Sequence, residues 1–356
     1  MVYYIVFIFS GILSFVAELK YKKIICIILA IILSLFAGSR IGIDRDYYMY
    51  LKNFRYVEPT FSVFLEKNHL EWCMFFIPDF FRQFYNSNMD VAKACFVFFA
   101  TLGVSLKIRA IAKYSEYIFL SVILYFGNLF LMHEMTTIRA GIAAGFFLLS
   151  IKNIEQKEHL QFFIKLLLCF FFHSSSILYI LPWMCYTFRV PIKYYYYVII
   201  ISIVLVVFNI NLITILLLDK IFPKVEYYIK AMEWMKEGKV NVLNFKMLFA
   251  MIIVAIFSMF YSTLKERFIY FDLLFKIHII SICLFLILSV SGAQVFSTRA
   301  FEMYSVVQIL LYPMIVHIFP DKMKIIGWAL IVVFSCIQTF YLIDVADIFK
   351  AYDSWL

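Results

Sequence analysis

Uninterrupted apolar runs of the kind found at the centre of bilayer spans constrain this chain more than any other feature. Ile24–Ala37, Tyr195–Phe208 and Ile277–Val290 contain no Asp, Glu, Lys or Arg. Segments of that purity read as the apolar centres of bilayer spans, and in hydrocarbon only a helix satisfies their backbone groups from within. The chain has 356 residues, of which 65% are hydrophobic and 15% charged, with 42 Phe and 25 Tyr. A soluble domain of this size needs no such apolar surface. The expected fold class is therefore all-α, a polytopic integral membrane protein of about 12 transmembrane helices.

The spans are expected near 3–18, 23–38, 91–107, 117–132, 138–153, 160–173, 175–188, 194–218, 245–263, 270–290, 300–318 and 324–343. Residues 1–356 then form a single transmembrane domain. Val2–Ala17 lacks the basic flank of a signal peptide, and further spans follow it at once, so it counts as the first helix. Segment 69–86 is aromatic but too charged to span, which predicts an interfacial helix. The seven Cys show no metal-ligand spacing, so neither zinc nor disulfides are expected.

The net charge of +9 reports topology rather than nucleic-acid binding. Its cations sit in alternate short loops: Lys20/Lys22/Lys23, Lys107/Arg109/Lys113, Lys152/Lys157, Arg189/Lys193, Lys265/Arg267 and Lys322/Lys324. The positive-inside bias makes that side cytoplasmic. Both termini and the two long loops, about 39–90 and 219–244, then face outward.

The segment GSRIGIDRDYYMY, residues 38–50, places Asp44 and Asp46 on the outer side, where nucleotide sugars are not normally available. A metal-binding Asp-x-Asp for a nucleotide donor is thereby disfavoured, and any substrate must arrive from outside or on a lipid. Other conspicuous polar residues gather at the same face: Arg40, His133, Glu134, Arg139, His173, Gln294, Arg299 and Glu302. Charge at the membrane edge is costly and tends to mark function.

Thr136-Thr137-Ile138-Arg139 and Ser297-Thr298-Arg299 open the fifth and eleventh spans alike, with capping hydroxyls before an Arg in the first turn. Free N–H groups, the positive dipole end and a bidentate guanidinium suit a phosphate. Arg40 follows a helix C-terminus, where a cation is favoured for structural reasons as well. Asp44, Asp46, Glu134 and His173 are the candidate bases, and His133 accompanies Glu134. His69 and Glu71 read as loop or interface residues.

Gly42-Ile43-Asp44 followed by tyrosines (Tyr47 first), TTIRAGIAAGFFLLSI, FFHSSSIL and TRAFEMYSVVQILLYP together resemble, in order, motifs of the EpsG family, a Wzy-like group of bacterial polysaccharide polymerases. The family commonly carries Gln after the mid-chain Arg, where this chain has Ala140.

The resemblance implies a GT-C-like fold and an inverting, metal-independent glycosyltransferase without cofactor. It would polymerise undecaprenyl-pyrophosphate-linked repeat units at the outer face of the cytoplasmic membrane. The implied partners are those lipid-linked glycans, membrane lipids and a chain-length regulator protein, with no nucleic acid. Arg40, Arg139 and Arg299, with His133, Glu302 and Tyr47, would bind pyrophosphate or glycan. An O-antigen ligase needs nearly the same residues. A flippase would place its charges at midplane, whereas Lys165, Lys246 and Lys276 lie near span ends.

Overall fold

The computed structural model describes residues 1–19, 21–67, 70–216, 220, 229, 241–290 and 294–356. Among them the only extended pairing is a single antiparallel bridge between Arg40 and Ser354, and the rest is helix and connection. Four helical stretches are long and apolar enough to cross a bilayer: Asn88–Tyr114, Phe271–Ser289, Phe296–Ile318 and Asp321–Val345. Phe245–Met259 and Tyr261–Arg267 form a fifth if taken as one span bent by 82°. Val2–Glu18, Ile118–Phe130, His159–Phe172 and Ile192–Val207 are shorter apolar helices. The protein is therefore an all-helical, multi-pass membrane protein. His69 and most of segment 219–244 lie outside the described residues.

The chain divides into two compact units, Met1–Ile180 with Tyr312–Leu356, and Leu181–Leu311. The first contains α1 (Val2–Leu19), α2 (Lys22–Gly38), α3 (Tyr47–Arg55), α4 (Phe61–Lys67), α5 (Cys73–Arg82), α6 (Asn88–Tyr114), α7 (Ile118–Tyr125), α8 (Ile138–Glu155) and α9 (His159–Phe172). Helix α6, 27 residues and so about 40 Å long, is its axis: α2, α3, α5 and α8 all pack on it.

The long loop after α2 is not loose. Its three short helices bury an aromatic cluster on α6, with Tyr47 stacked on Phe96 at 4.9 Å and Phe54 against Phe96 at 5.1 Å and Phe99 at 5.4 Å. Part of the Phe and Tyr content packs in this small core, where ring pairs add to area burial. Within 69–86, where an interfacial helix is expected, the chain forms the ten-residue helix α5, with Pro78 inside it.

Between α7 and α8 the chain stays helical but widens into two π-helical turns, Phe126–Phe130 and Met132–Thr136. The hydroxyl cap expected at α8 does not form. Thr137 Oγ1 instead donates back to the Met132 carbonyl at 3.1 Å. Lys107 also departs from expectation. It lies well inside α6 and is fully buried, because Glu134 offers it a partner within the protein. A basic residue at the end of an apolar run is read as a loop only while its partner is unknown.

Residues 350–355 return as a strap over the segment following α2. Ile41 N–H donates to the Asp353 carbonyl at 2.9 Å, Lys350 N–H to Ile43 at 2.9 Å, and Trp355 N–H to Ser39 at 3.0 Å. Tyr352 stacks on Phe36 with ring centres 4.3 Å apart.

In the second unit, helix Phe271–Ser289 packs against Ile192–Val207, Phe245–Met259 and Gln294–Ser305. It carries a partly buried pair, Lys276 to Asp272 at 3.0 Å. Helix Gln294–Ser305 begins before Ser297, so Ser297 and Thr298 lie within it rather than capping it, and Arg299 sits in its second turn.

Candidate active site

Arg139 is the second residue of α8, and the π-helical turn before it delivers the chain there. Thr137 N–H donates to the Met132 carbonyl at 2.7 Å, which closes that turn, and Gly141 N–H to Thr137 at 2.9 Å opens the helix. His173 is the residue at which α9 ends, with extended backbone and its N–H bonded to the Cys169 carbonyl at 2.8 Å. Cys169 Sγ contacts the Ala143 carbonyl at 3.3 Å, so the start of α8 and the end of α9 lie side by side.

The third member is Glu71, directly before α5. The buried Cys73 Sγ donates to the Phe172 carbonyl at 3.6 Å and docks the start of α5 on the end of α9. Glu71 thereby enters between the other two. Its Oε2 accepts from Arg139 Nη1, and its Oε1 lies 3.1 Å from His173 Nδ1. Ser174 N–H and Oγ both approach Oε1 at 3.4 Å. Side-chain exposures of 9% for Glu71, 15% for His173 and 18% for Arg139 leave the cluster shielded but reachable.

Tyr50 borders this cluster from α3. Its hydroxyl lies 3.5 Å from Arg139 Nε, and the guanidinium sits 5.7 Å from its ring centre. Burial raises the Tyr50 phenol above its ordinary range, against the pull of the Arg139 charge. It is therefore a neutral hydrogen-bonding wall.

Arg40 and Asp44 form a separate, fully buried pair at 2.7 Å. Arg40 also donates Nη1 to the Ala37 carbonyl at 2.8 Å and Nη2 to the Met135 carbonyl, and its guanidinium faces the Phe96 ring at 4.9 Å. The Asp44 carboxylate additionally accepts the Asp46 N–H at 3.1 Å. The pair clamps the Gly42 loop to the turn before α8. Tyr47 is buried in the aromatic core, and Asp46 is half-buried at the start of α3.

Glu134 and His133 are buried in the turn Met132–Thr136. Glu134 Oε1 accepts from Lys107 Nζ at 2.5 Å and from the Tyr125 hydroxyl at 2.8 Å. Arg299 is exposed on its helix in the second unit and Glu302 half-buried, within electrostatic reach of Arg299 and Lys246.

Of the residues singled out from sequence, Arg139 and His173 thus meet, through an acid, Glu71, read there as a loop residue. The available signal is a lone carboxylate in an otherwise aromatic and apolar stretch, EWCMFF.

An all-helical, multi-pass fold with a cation, an acid and an imidazole gathered at helix ends defines a membrane protein with an enzyme-like polar centre. The chain belongs to the EpsG family, whose model matches residues 23–354. That membership gives it a polysaccharide-polymerase type of role in general terms, in the membrane. No curated protein and no solved structure matches the chain.

Proposed function

We propose that the protein is a glycosyltransferase that polymerises undecaprenyl-pyrophosphate-linked repeat units at the outer face of the bacterial cytoplasmic membrane. The growing chain is transferred from its lipid pyrophosphate onto the incoming unit. One observation carries this reading: the Glu71 carboxylate is shared between Arg139, suited to a pyrophosphate, and His173, suited to a hydroxyl.

The step balances with these groups alone. The acceptor hydroxyl gives its proton to His173 Nε2 while Nδ1–H points at Glu71. The acceptor oxygen bonds to the anomeric carbon, and the bond from that carbon to pyrophosphate oxygen breaks. A single displacement inverts the anomeric centre. The imidazolium then pairs with Glu71, which weakens the hold of Glu71 on Arg139 as negative charge grows on the leaving pyrophosphate. Arg139, at the positive end of α8, turns to that charge.

Asp46 binds acceptor hydroxyls, and Arg299 holds a second lipid phosphate, with Glu302 orienting Arg299. Arg40, Asp44, Tyr47 and His133 act by holding the site. No metal or cofactor takes part. The topology of about 12 spans with both termini outside belongs to the same proposal. It is supported by the basic short loops, Lys107 excepted. A chain-length regulator protein would act alongside.

The test is the length profile of surface glycan in cells lacking this gene, complemented with wild type or Arg139→Ala. A polymerase leaves lipid cores bearing one repeat unit in the deletion, and only wild type restores the ladder. Accumulated long lipid-linked polymer would identify a ligase instead. Absence of any unit outside would identify a flippase.

A further inference from the structure

We propose that Lys107 and Glu134 are positioning residues for Arg139, a buried ion pair that sets the aim of the guanidinium through the turn preceding α8. The inference rests on the reading of Arg139 as the pyrophosphate contact. Lys107 Nζ donates to Glu134 Oε1 at 2.5 Å and to the Gly141 carbonyl at 2.8 Å. The lysine side chain is fully buried and that of the glutamate is 1% exposed. One ammonium therefore joins three pieces of chain: α6, which carries it, the π-helical turn with Glu134, and the first turn of α8 at Gly141, two residues beyond Arg139.

Sterics reinforce the tie. A Cβ at Gly103 would collide with Glu134 Oε2, and a Cβ at Gly141 would collide with the His133 carbonyl. Both glycines allow the π-helical turn to press against α6 and α8. From the segment after α2, Arg40 grips the same turn at the Met135 carbonyl. Two buried cations thus hold the five residues Met132–Thr136 that lead into α8.

Stability alone does not account for the pair. Charges removed from water are expensive, and apolar side chains of equal volume usually pack at least as well. A charged tie does supply directional bonds, which fix a backbone carbonyl where apolar packing would let it slide. Single π-helical turns of this kind recur at functional sites.

The test uses purified full-length protein in nanodiscs, inorganic pyrophosphate as the probe in calorimetry, and thermal melting. Lys107→Met with Glu134→Gln removes both charges together and strands neither. The double variant is expected to melt within a few degrees of wild type, yet bind pyrophosphate about tenfold more weakly, the loss of one good contact. Tyr125→Phe, which removes only a hydrogen bond to Glu134, is expected to weaken binding by about threefold. A double variant that melts and binds like wild type overturns the proposal. Should the double variant not fold, wild-type binding by Tyr125→Phe overturns it. Arg139→Ala separates the two levels: if it binds pyrophosphate as wild type does, the reading of Arg139 fails first and takes the positioning role with it.

Discussion

Glu71 and Arg139, separated by 68 positions in the chain, meet in a side-chain ion pair at the start of α8, and the same carboxylate holds His173. Glu71→Gln keeps the shape and removes the charge. It is expected to lower polymerisation by about 100-fold or more, the scale of a lost proton-transfer partner, with the protein still present in the membrane. Glycan length and membrane abundance measured together check this.

Arg139→Lys retains one positive charge but loses the planar fork. About 1.5–3 kcal/mol of charge-assisted hydrogen bonding is at stake, so the variant is expected to make shorter or fewer chains than wild type and more than Arg139→Ala. Equal activity of the Lys variant and wild type would show that bidentate geometry is not needed.

Arg40 and Asp44 give the opposite signature, because both are buried and engaged. Arg40→Met leaves the buried Asp44 carboxyl without its cation, a change worth about 3–5 kcal/mol. The expected outcome is a melting temperature lowered by many degrees and poor accumulation. Asp44→Asn, which keeps an acceptor for Arg40, is expected to cost less. A stable but inactive Arg40→Met protein would instead place Arg40 among the groups that touch substrate.

Gly141→Ala tests the tight turn before α8. The added methyl meets the His133 backbone carbonyl, which cannot rotate away, so about 1–3 kcal/mol of overpacking is expected. Gly11→Ala is the control, since its nearest neighbours lie at 3.6 Å, an ordinary contact. Melting curves of the two variants should separate clearly.

Tyr50 carries a pH prediction. Its phenol is raised in the folded protein, so the folded state holds the proton longer than the unfolded chain does. That contribution is complete below the ordinary tyrosine value of about 10 and is lost as pH rises beyond it. The stability gap between wild type and Tyr50→Phe should narrow between pH 8 and pH 11. A gap that widens with pH reverses the sign and removes Tyr50 from the neutral wall.

The fold class and the outlying cations were legible because their signals are local: apolar runs give helices, and an Arg beside hydroxyls at a span edge invites attention. Glu71 was not, since its meaning lies in Cys73 docking α5 on Phe172, a contact across 99 positions. Lys107 is hidden for the same reason, as a basic residue at a run's edge looks like a loop until Glu134 folds onto it. Asp44 reads as a base although Arg40 stands only four positions earlier, because the sequence does not show that the Gly42 loop folds that guanidinium onto the carboxylate. The π-helical turns after α7 leave no mark in the apolar pattern, although they decide where Arg139 points.

The most direct measurement of the central claim is the surface-glycan ladder in deletion cells complemented with Glu71→Gln at matched membrane abundance, beside His173→Gln and Asp46→Asn. Joining of Arg139 and His173 through Glu71 predicts that Glu71→Gln and His173→Gln both collapse the ladder to single repeat units while Asp46→Asn retains chains. A full-length ladder from Glu71→Gln would contradict it, and loss from Asp46→Asn alone would move the chemistry to the start of α3.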